Sequence, residues 1–327
     1  MPSIADTVTE MVQWVFPEHA GAPGQIHGGR MMQWIATVGT IAASRVARGN
    51  VVLGAMDDID FLHPVKVGEV AVLRAQVEFV GRCSLEVGVR VFSENVVTGA
   101  RAVTLSSHLV FVKVDERIRP VPVPGAIVPR GADEAGLFEA AQARRRHRVE
   151  RLQRRAAKAR EVADDGTAEL RWRFESSRSV LPEDTLFGTT MFPGKLLMDL
   201  DEAGGILSMR YTRGLVMTAC LDALELSSPI STHEVVTFRA ALNHVGTSSL
   251  EVGVKVLTEV PMTGETRHAC TAYLTFVHLG PDLRPRPCPP YTPATPEERR
   301  RWEEAVGRRE RRLARVKALK ASINEGR

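Results

Sequence analysis

Tyrosine occurs only three times in these 327 residues, and aromatic side chains make up 6% of them. The arginine runs of the chain lack the alternation with aromatics that a base-stacking nucleic-acid surface needs, and no recognised nucleic-acid module is present. Cysteine is equally sparse. Cys83, Cys220, Cys270 and Cys288 lie far apart with no CxxC pair, which excludes a disulfide framework or a zinc knuckle and fits a reducing compartment. His63, His108, His233 and His244 show no metal-ligand spacing, so neither a metal nor another cofactor is expected. No apolar run approaches the roughly 20 residues of a membrane span. The opening MPSIADTVTEMVQW has no basic region followed by an apolar core, so no signal peptide is expected. These absences together predict a cytoplasmic protein.

Apolar residues at 44% and charged residues at 25% are the mix of a globular protein, and the length suggests two domains. The formal charge of +4 misleads. Residues 144–160 hold 9 basic side chains and 1 acidic; residues 299–320 hold 10 and 3. Without those two segments the body carries 24 basic and 35 acidic residues, a net −11. The basicity belongs to two short segments.

A repeat organises the rest. An offset of 165 pairs Gly29 with Gly194, Arg45 with Arg210, Asp57 with Asp222, Pro64 with Pro229 and Gly81 with Gly246. It also superposes Ser84-Leu85-Glu86-Val87-Gly88-Val89 on Ser249-Leu250-Glu251-Val252-Gly253-Val254. Pro120, Pro122 and Pro124 fall on Pro285, Pro287 and Pro289. Two copies of this size are two domains rather than a solenoid.

Each copy opens on a helix with apolar residues on most sides, Met31 to Val46 in the first and Leu196 to Leu207 in the second, which predicts enclosure by protein. Leu85, Val87, Val89 and Val91 then alternate with Glu86, Gly88 and Arg90, the pattern of a half-buried strand. Further strands are expected at 51–61, 70–80 and 102–114, with a turn at Thr98-Gly99. A buried helix wrapped by an antiparallel sheet is an α+β design. A Pro-rich exit and a basic helix follow each copy. Val149, Leu152, Ala156 and Ala159 in the first, and Trp302, Val306, Leu313 and Val316 in the second, are the expected apolar docking stripes of otherwise solvated helices.

The pattern Gly24-Gln25-Ile26-His27-Gly28-Gly29, an apolar helix, Asp57…Phe61…Pro64…Gly68-Glu69, Gly81-Arg82…Ser84…Glu86-Val87 and the Pro-rich exit resembles the hotdog-fold acyl-CoA thioesterases. Two tandem copies, each trailed by a charged helix, are similar to the cytosolic, brain-type acyl-CoA hydrolase group. The resemblance implies a double hotdog: residues 1–130 as domain 1, 131–163 as a basic linker helix, 164–291 as domain 2 and 292–327 as a C-terminal basic helix. It implies hydrolysis of fatty acyl-CoA in clefts between the copies, and a homo-oligomer, typically three tandem chains. Each cleft then takes an acid from one central helix and a loop from the other copy.

The two copies differ at those positions. The family's acid falls on Asp201, within Asp201-Glu202-Ala203-Gly204, whereas its counterpart in copy one is Ala36. A carboxylate in an enclosed apolar helix is costly unless paired or titrated, so Asp201 needs a reason to be there. The resemblance implies a base or nucleophile, and an acid facing a sheet-edge amide or solvent is the alternative. The loop splits the other way. His27-Gly28-Gly29 keeps the Gly-Gly turn, whose amides stabilise an oxyanion at a helix start, but copy two has Phe192-Pro193-Gly194 and proline lacks an N–H. One working cleft is therefore expected, from Asp201 with Gly28 and Gly29, and one dead cleft from Ala36 and Pro193. The family's usual Asn is replaced by Gly21 and Leu186, leaving Gln25, His27 or His19 as substitutes. Arg82 and Ser84, with Ser248 and Ser249 in copy two, sit on turns suited either to CoA contacts or to an ordinary strand entry. The rival reading is a non-catalytic acyl-CoA-binding protein; a dehydratase would want a histidine where Met191 stands.

Overall fold

The computed structural model describes residues 1–21, 24–158 and 167–325. In chain order its main elements are β1 (Thr9–Trp14), α1 (Gly28–Ala47), β2 (Val51–Met56), β3 (Ile59–Asp60), β4 (Val70–Val80), β5 (Ser84–Glu94), β6 (Arg101–Lys113) and α2 (Gly131–Lys158). The second half repeats them as β7 (Arg173–Ser179), α3 (Pro193–Thr212), β8 (Leu215–Leu221), β9 (Leu224–Glu225), β10 (Val235–Val245), β11 (Ser249–Val260), β12 (Glu265–Leu279) and α4 (Pro296–Glu325). The helix α1 displaced by 165 residues is α3, end to end. Both stop on an arginine in the left-handed region, Arg48 at φ 51° and Arg213 at φ 53°.

Two six-stranded antiparallel sheets result, in the orders β1-β4-β5-β6-β2-β9 and β3-β8-β12-β11-β10-β7. Each takes its end strand from the other half. Ala55 and Met56 pair with Glu225 and Leu224, while Leu221 and Cys220 pair with Ile59 and Asp60. The exchange is symmetric: Leu226 N–H donates to Gly54 O and Phe61 N–H to Ala219 O, both at 3.0 Å. This reciprocal exchange locks the halves together and sets α1 against α3.

Each sheet curls around its own helix. Gly39 of α1 lies where a Cβ would come within 3.2 Å of the Phe111 ring, and Gly204 of α3 where it would come within 2.8 Å of Phe276. A glycine about three turns into each helix thus admits a fully buried phenylalanine from the sheet, worth about 2–3 kcal/mol of burial apiece. The expected strands at 51–61, 70–80 and 102–114 are present, with 51–61 broken into β2 and β3. The edge strands β1 and β7 were not foreseen, because their polar alternation is short and lies outside the repeat's best-matching stretch.

The strands β5 and β11 are buried on both faces at their centres, not half-buried. Glu86 and Glu251, the polar partners of the alternation, are 2% and 3% exposed. The basic helices cover them. Arg144 Nε donates to Glu86 Oε1 at 2.6 Å, and Arg148 Nη1 to Glu86 Oε2 at 3.1 Å. Arg308 Nη2 donates to Glu251 Oε1 at 2.7 Å, and Arg312 Nη2 to Glu251 Oε2 at 2.8 Å. Arg315 reaches further, to Asp60 of the first half at 2.6 Å.

The docked faces are therefore mixed rather than apolar: buried arginines at helical spacing lie beside Leu137 and Phe138, which pack on the core, and half-buried Val306 and Val316. Val149 is 43% exposed and Leu313 54% exposed, whereas Ala141 and Ala305 are fully buried between the arginines. Trp302 does pack, against the His244 ring with centroids 4.2 Å apart. Ala159 lies outside the described residues, as do the side chains of Leu152 and Ala156. The helices repeat each other too, at an offset of 164: Glu134 with Glu298, Ala141 with Ala305, Arg144 with Arg308, Arg148 with Arg312. Glu134 accepts from the N–H of Ala5 and Arg130, as Glu298 does from Ala294 and Arg171. The acidic body and its basic appendages are one electrostatic unit.

Candidate active site

Asp201 sits on the third turn of α3, where the start of α1 comes against it from the other half. It is 1% exposed. Gly29 N–H donates to its Oδ2 at 2.7 Å, and Thr218 Oγ1 of β8 donates to Oδ1 at 2.7 Å. His27 Nδ1 lies 3.4 Å from Oδ2, and this imidazole is one-third exposed where the carboxyl is not. Burial pushes the Asp201 carboxyl above the usual carboxylate range, against the opposing pull of His27, the Thr218 hydroxyl and the Gly29 amide.

The glycines are dictated by crowding. A Cβ on Gly28 would lie 2.5 Å from the Thr218 side chain and 3.1 Å from Asp201 Oδ2. A Cβ on Gly29 would lie 3.0 Å from Asp201 Cβ and from Met198 Cα. Only backbone fits between the helix start and the acid. Within α1, Met31 N–H is the first to bond back, to His27 O at 3.1 Å. Gly28 N–H has no acceptor among the described residues, and it opens at the positive end of the helix dipole. The expected pair of free amides thus divides its labour: Gly29 holds the acid, and Gly28 remains available to a ligand oxygen.

Gly21, at the family's Asn position, leaves space that His27 fills. A Cβ there would stand 2.6 Å from His27 Cδ2. Of the three candidate substitutes, His27 alone meets Asp201. His19 instead accepts the Phe16 N–H at 3.1 Å through Nδ1 and sets its ring edge-on to Trp34. Gln25 pairs its backbone with Lys66, and its Oε1 is buried without a partner. Glu202 is exposed.

Thr218 was not singled out by the sequence reading. Its counterpart 165 residues earlier is Leu53, so a polar-for-apolar exchange marks it just as Asp201 for Ala36 does.

The thioesterase superfamily model matches residues 23–100 and 188–265, two segments displaced by the repeat offset. The uncharacterized acyl-CoA thioester hydrolase YkhA of Bacillus subtilis is 38% identical over 145 residues, covering 44% of this chain and 84% of its own. This chain belongs to the thioesterase superfamily. Human cytosolic acyl coenzyme A thioester hydrolase is 27% identical over 309 residues, 89% of this thioesterase-superfamily chain and 80% of its own length. Among solved structures, an acyl-ACP thioesterase from Bacteroides thetaiotaomicron aligns with 84% of this chain at a TM-score of 0.52 and 10% identity, a likeness of fold.

The second cleft of this superfamily member lacks the acid, threonine and histidine of the first. Ala36 is fully buried, Leu53 replaces the threonine, and Phe192 and Pro193 replace His27 and Gly28. Gly194 still approaches the facing helix, where a Cβ would stand 2.9 Å from Gln33 Cγ. The frame survives without its chemistry.

The candidate CoA turns close in the same way in both halves. Gly81 N–H bonds to Ser84 O and Gly246 N–H to Ser249 O, each at 2.7 Å. Arg82 is exposed, and its carbonyl accepts the N–H of Val123 from the Pro-rich exit. Ser248 O likewise accepts the N–H of His278. Among the described residues no hydrogen bond joins Arg82, Ser84, Ser248 or Ser249 to Asp201 or the start of α1. No group of His, Cys, Asp and Glu among them could hold a metal, and no helix is long and apolar enough to cross a membrane.

Proposed function

We propose that the protein hydrolyses fatty acyl-CoA to the free acid and CoA at the single cleft formed by Asp201, Thr218, His27 and the start of α1. One observation carries this reading: a buried carboxyl of raised proton affinity, both oxygens held, beside an unused amide at a helix N-terminus. Asp201 accepts a proton from water as that water attacks the thioester carbonyl. Gly28 N–H donates to the developing oxyanion, and as the C–S bond breaks Asp201 returns its proton to the sulfur, so that CoA leaves as the thiol. Thr218 and Gly29 orient the carboxylate, and His27 offers the partly exposed partner through which its proton is exchanged. The names of the relatives, acyl-CoA thioester hydrolases in human and in Bacillus subtilis, support the substrate class.

Arg82, Ser84, Ser248 and Ser249 are the groups proposed to meet the CoA phosphates and pantetheine from the strand-entry turns. Cytoplasmic placement and assembly into a homo-oligomer of tandem chains complete the reading. No cofactor enters the chemistry, since CoA is part of the substrate. The test is a thiol-release assay over acyl-CoA chain lengths with wild-type and Asp201→Ala proteins. Release by the wild type alone is expected; equal release by both, or by neither, contradicts the reading.

A further inference from the structure

The cleft that lacks its acid is not filled in. A cavity of about 320 Å³ opens there, within the size range of small-molecule sites. Its walls come from β2, the end of β6 and the Pro-rich exit, the loop before α3 and its first turn, and the segment after β9, with Leu53, Leu186, Phe187, Phe192, Leu196 and Ile230 among them. No charged side chain lines it. Two hydroxyls do. Thr190 is 7% exposed and Ser228 half-buried, and both Oγ atoms are buried without a hydrogen-bond partner. Buried polar atoms of this kind usually have partners, so both hydroxyls are free to bond to a group that enters the cavity.

The repeat shows what changed. At the 165 offset Thr190 corresponds to Gln25, Phe192 to His27 and Ser228 to His63. Titratable and amide groups have been exchanged for aromatic carbon and small hydroxyls while the space was kept. The acid, threonine and histidine of the first cleft have no equivalent there, but an apolar chain with a neutral hydrogen-bond acceptor at its head matches the walls. A carboxylate does not, because no cation stands by to offset its desolvation.

We propose that this second cleft is a non-hydrolytic binding site for the acyl group of a thioester, its chain among the leucines and phenylalanines and its carbonyl on the Thr190 and Ser228 hydroxyls. Binding here does not require the first cleft to hydrolyse anything, so the two readings fail separately. The full chain carrying Asp201→Asn, which spares the ligand, is titrated calorimetrically with decanoyl-CoA, decanoate and CoA. Two equivalents of decanoyl-CoA per chain are expected, falling to one when Ser228→Trp fills the mouth. Should that variant not fold, Thr190→Val with Ser228→Ala is expected to weaken one of the two equivalents about tenfold, the scale of a lost hydrogen bond or two. Decanoate is expected to bind this cleft at least tenfold more weakly than the thioester. A single equivalent unaffected by either variant, or two equivalents untouched by both, overturns the proposal; decanoate binding as tightly as decanoyl-CoA overturns its neutral head group.

Discussion

Gly29 and Asp201 stand 172 positions apart in sequence, yet the amide of the first donates to the carboxylate of the second at 2.7 Å. That bond crosses the junction between the two halves of the chain. It exists because the start of α1 presents bare backbone to the middle of α3, and because the exchanged strands β3 and β9 hold the halves in register. Neither copy contains a complete site.

Thr218 donates to the other carboxylate oxygen at 2.7 Å and so favours the ionised acid. In Thr218→Val that help is lost and the Asp201 proton affinity rises further. The acid limb of the kcat/KM–pH profile should move to higher pH, with kcat down about tenfold at neutral pH. Thr218→Ser should restore both. An unmoved acid limb in the valine variant separates Thr218 from the acid.

The raised proton affinity of Asp201 has a cost in stability with a definite sign. Its folded value lies above its unfolded one, so the native state holds the extra proton in the window between them. Stability attributable to this group falls as pH rises through that window and stays low above it. Asp201→Asn should therefore raise Tm at pH 8, and the gain should shrink as the pH is lowered into the window. Thermal melts across pH, read with an activity loss in the same variant, check the trade between stability and function. A variant that melts lower than wild type at pH 8 contradicts the assignment of the strain to this carboxyl.

Much of the fold was legible because duplication leaves a constant offset: helices, strands and the asymmetric Asp201/Ala36 pair all follow from 165. What escaped was decided by tertiary burial. Glu86 and Glu251 read as solvent-facing partners of Leu85 and Leu250, since alternation alone cannot reveal a second layer on the outer face. The arginines that cover them read as a solvated surface for the same reason. Their repeat was hidden by a one-residue slip to 164. The division of labour between Gly28 and Gly29, and the His27 ring filling the space over Gly21, depend on distances no spacing encodes.

Arg312 is buried between Asp222 and Glu251, at 3.1 and 2.8 Å. Removing it leaves buried carboxylates short of a partner, a loss on the order of 3 kcal/mol. Arg312→Ala should lower denaturant stability by that amount, while the exposed neighbour in Arg309→Ala should change it by less than about 0.5 kcal/mol. Equal effects would mean the basic helix is held by something other than these pairs.

Restoring an acid to the second cleft should not restore chemistry. Ala36→Asp buries a carboxyl opposite Leu53, without the threonine, with Phe192 where the first cleft has His27. A loss of at least about 2 kcal/mol in stability and no gain in thiol release are expected. A doubled rate per chain would show that the second cleft needed only the acid.

The central claim is that one carboxylate on α3, completed by the start of α1, does the hydrolysis for the whole chain. Steady-state thiol release by Asp201→Asn tests it most directly, with Gly29 and Thr218 still able to hold the isosteric amide. A fall in kcat of about 100- to 10,000-fold is expected, with decanoyl-CoA still bound. Activity within a few-fold of wild type, in a protein that folds, would contradict it.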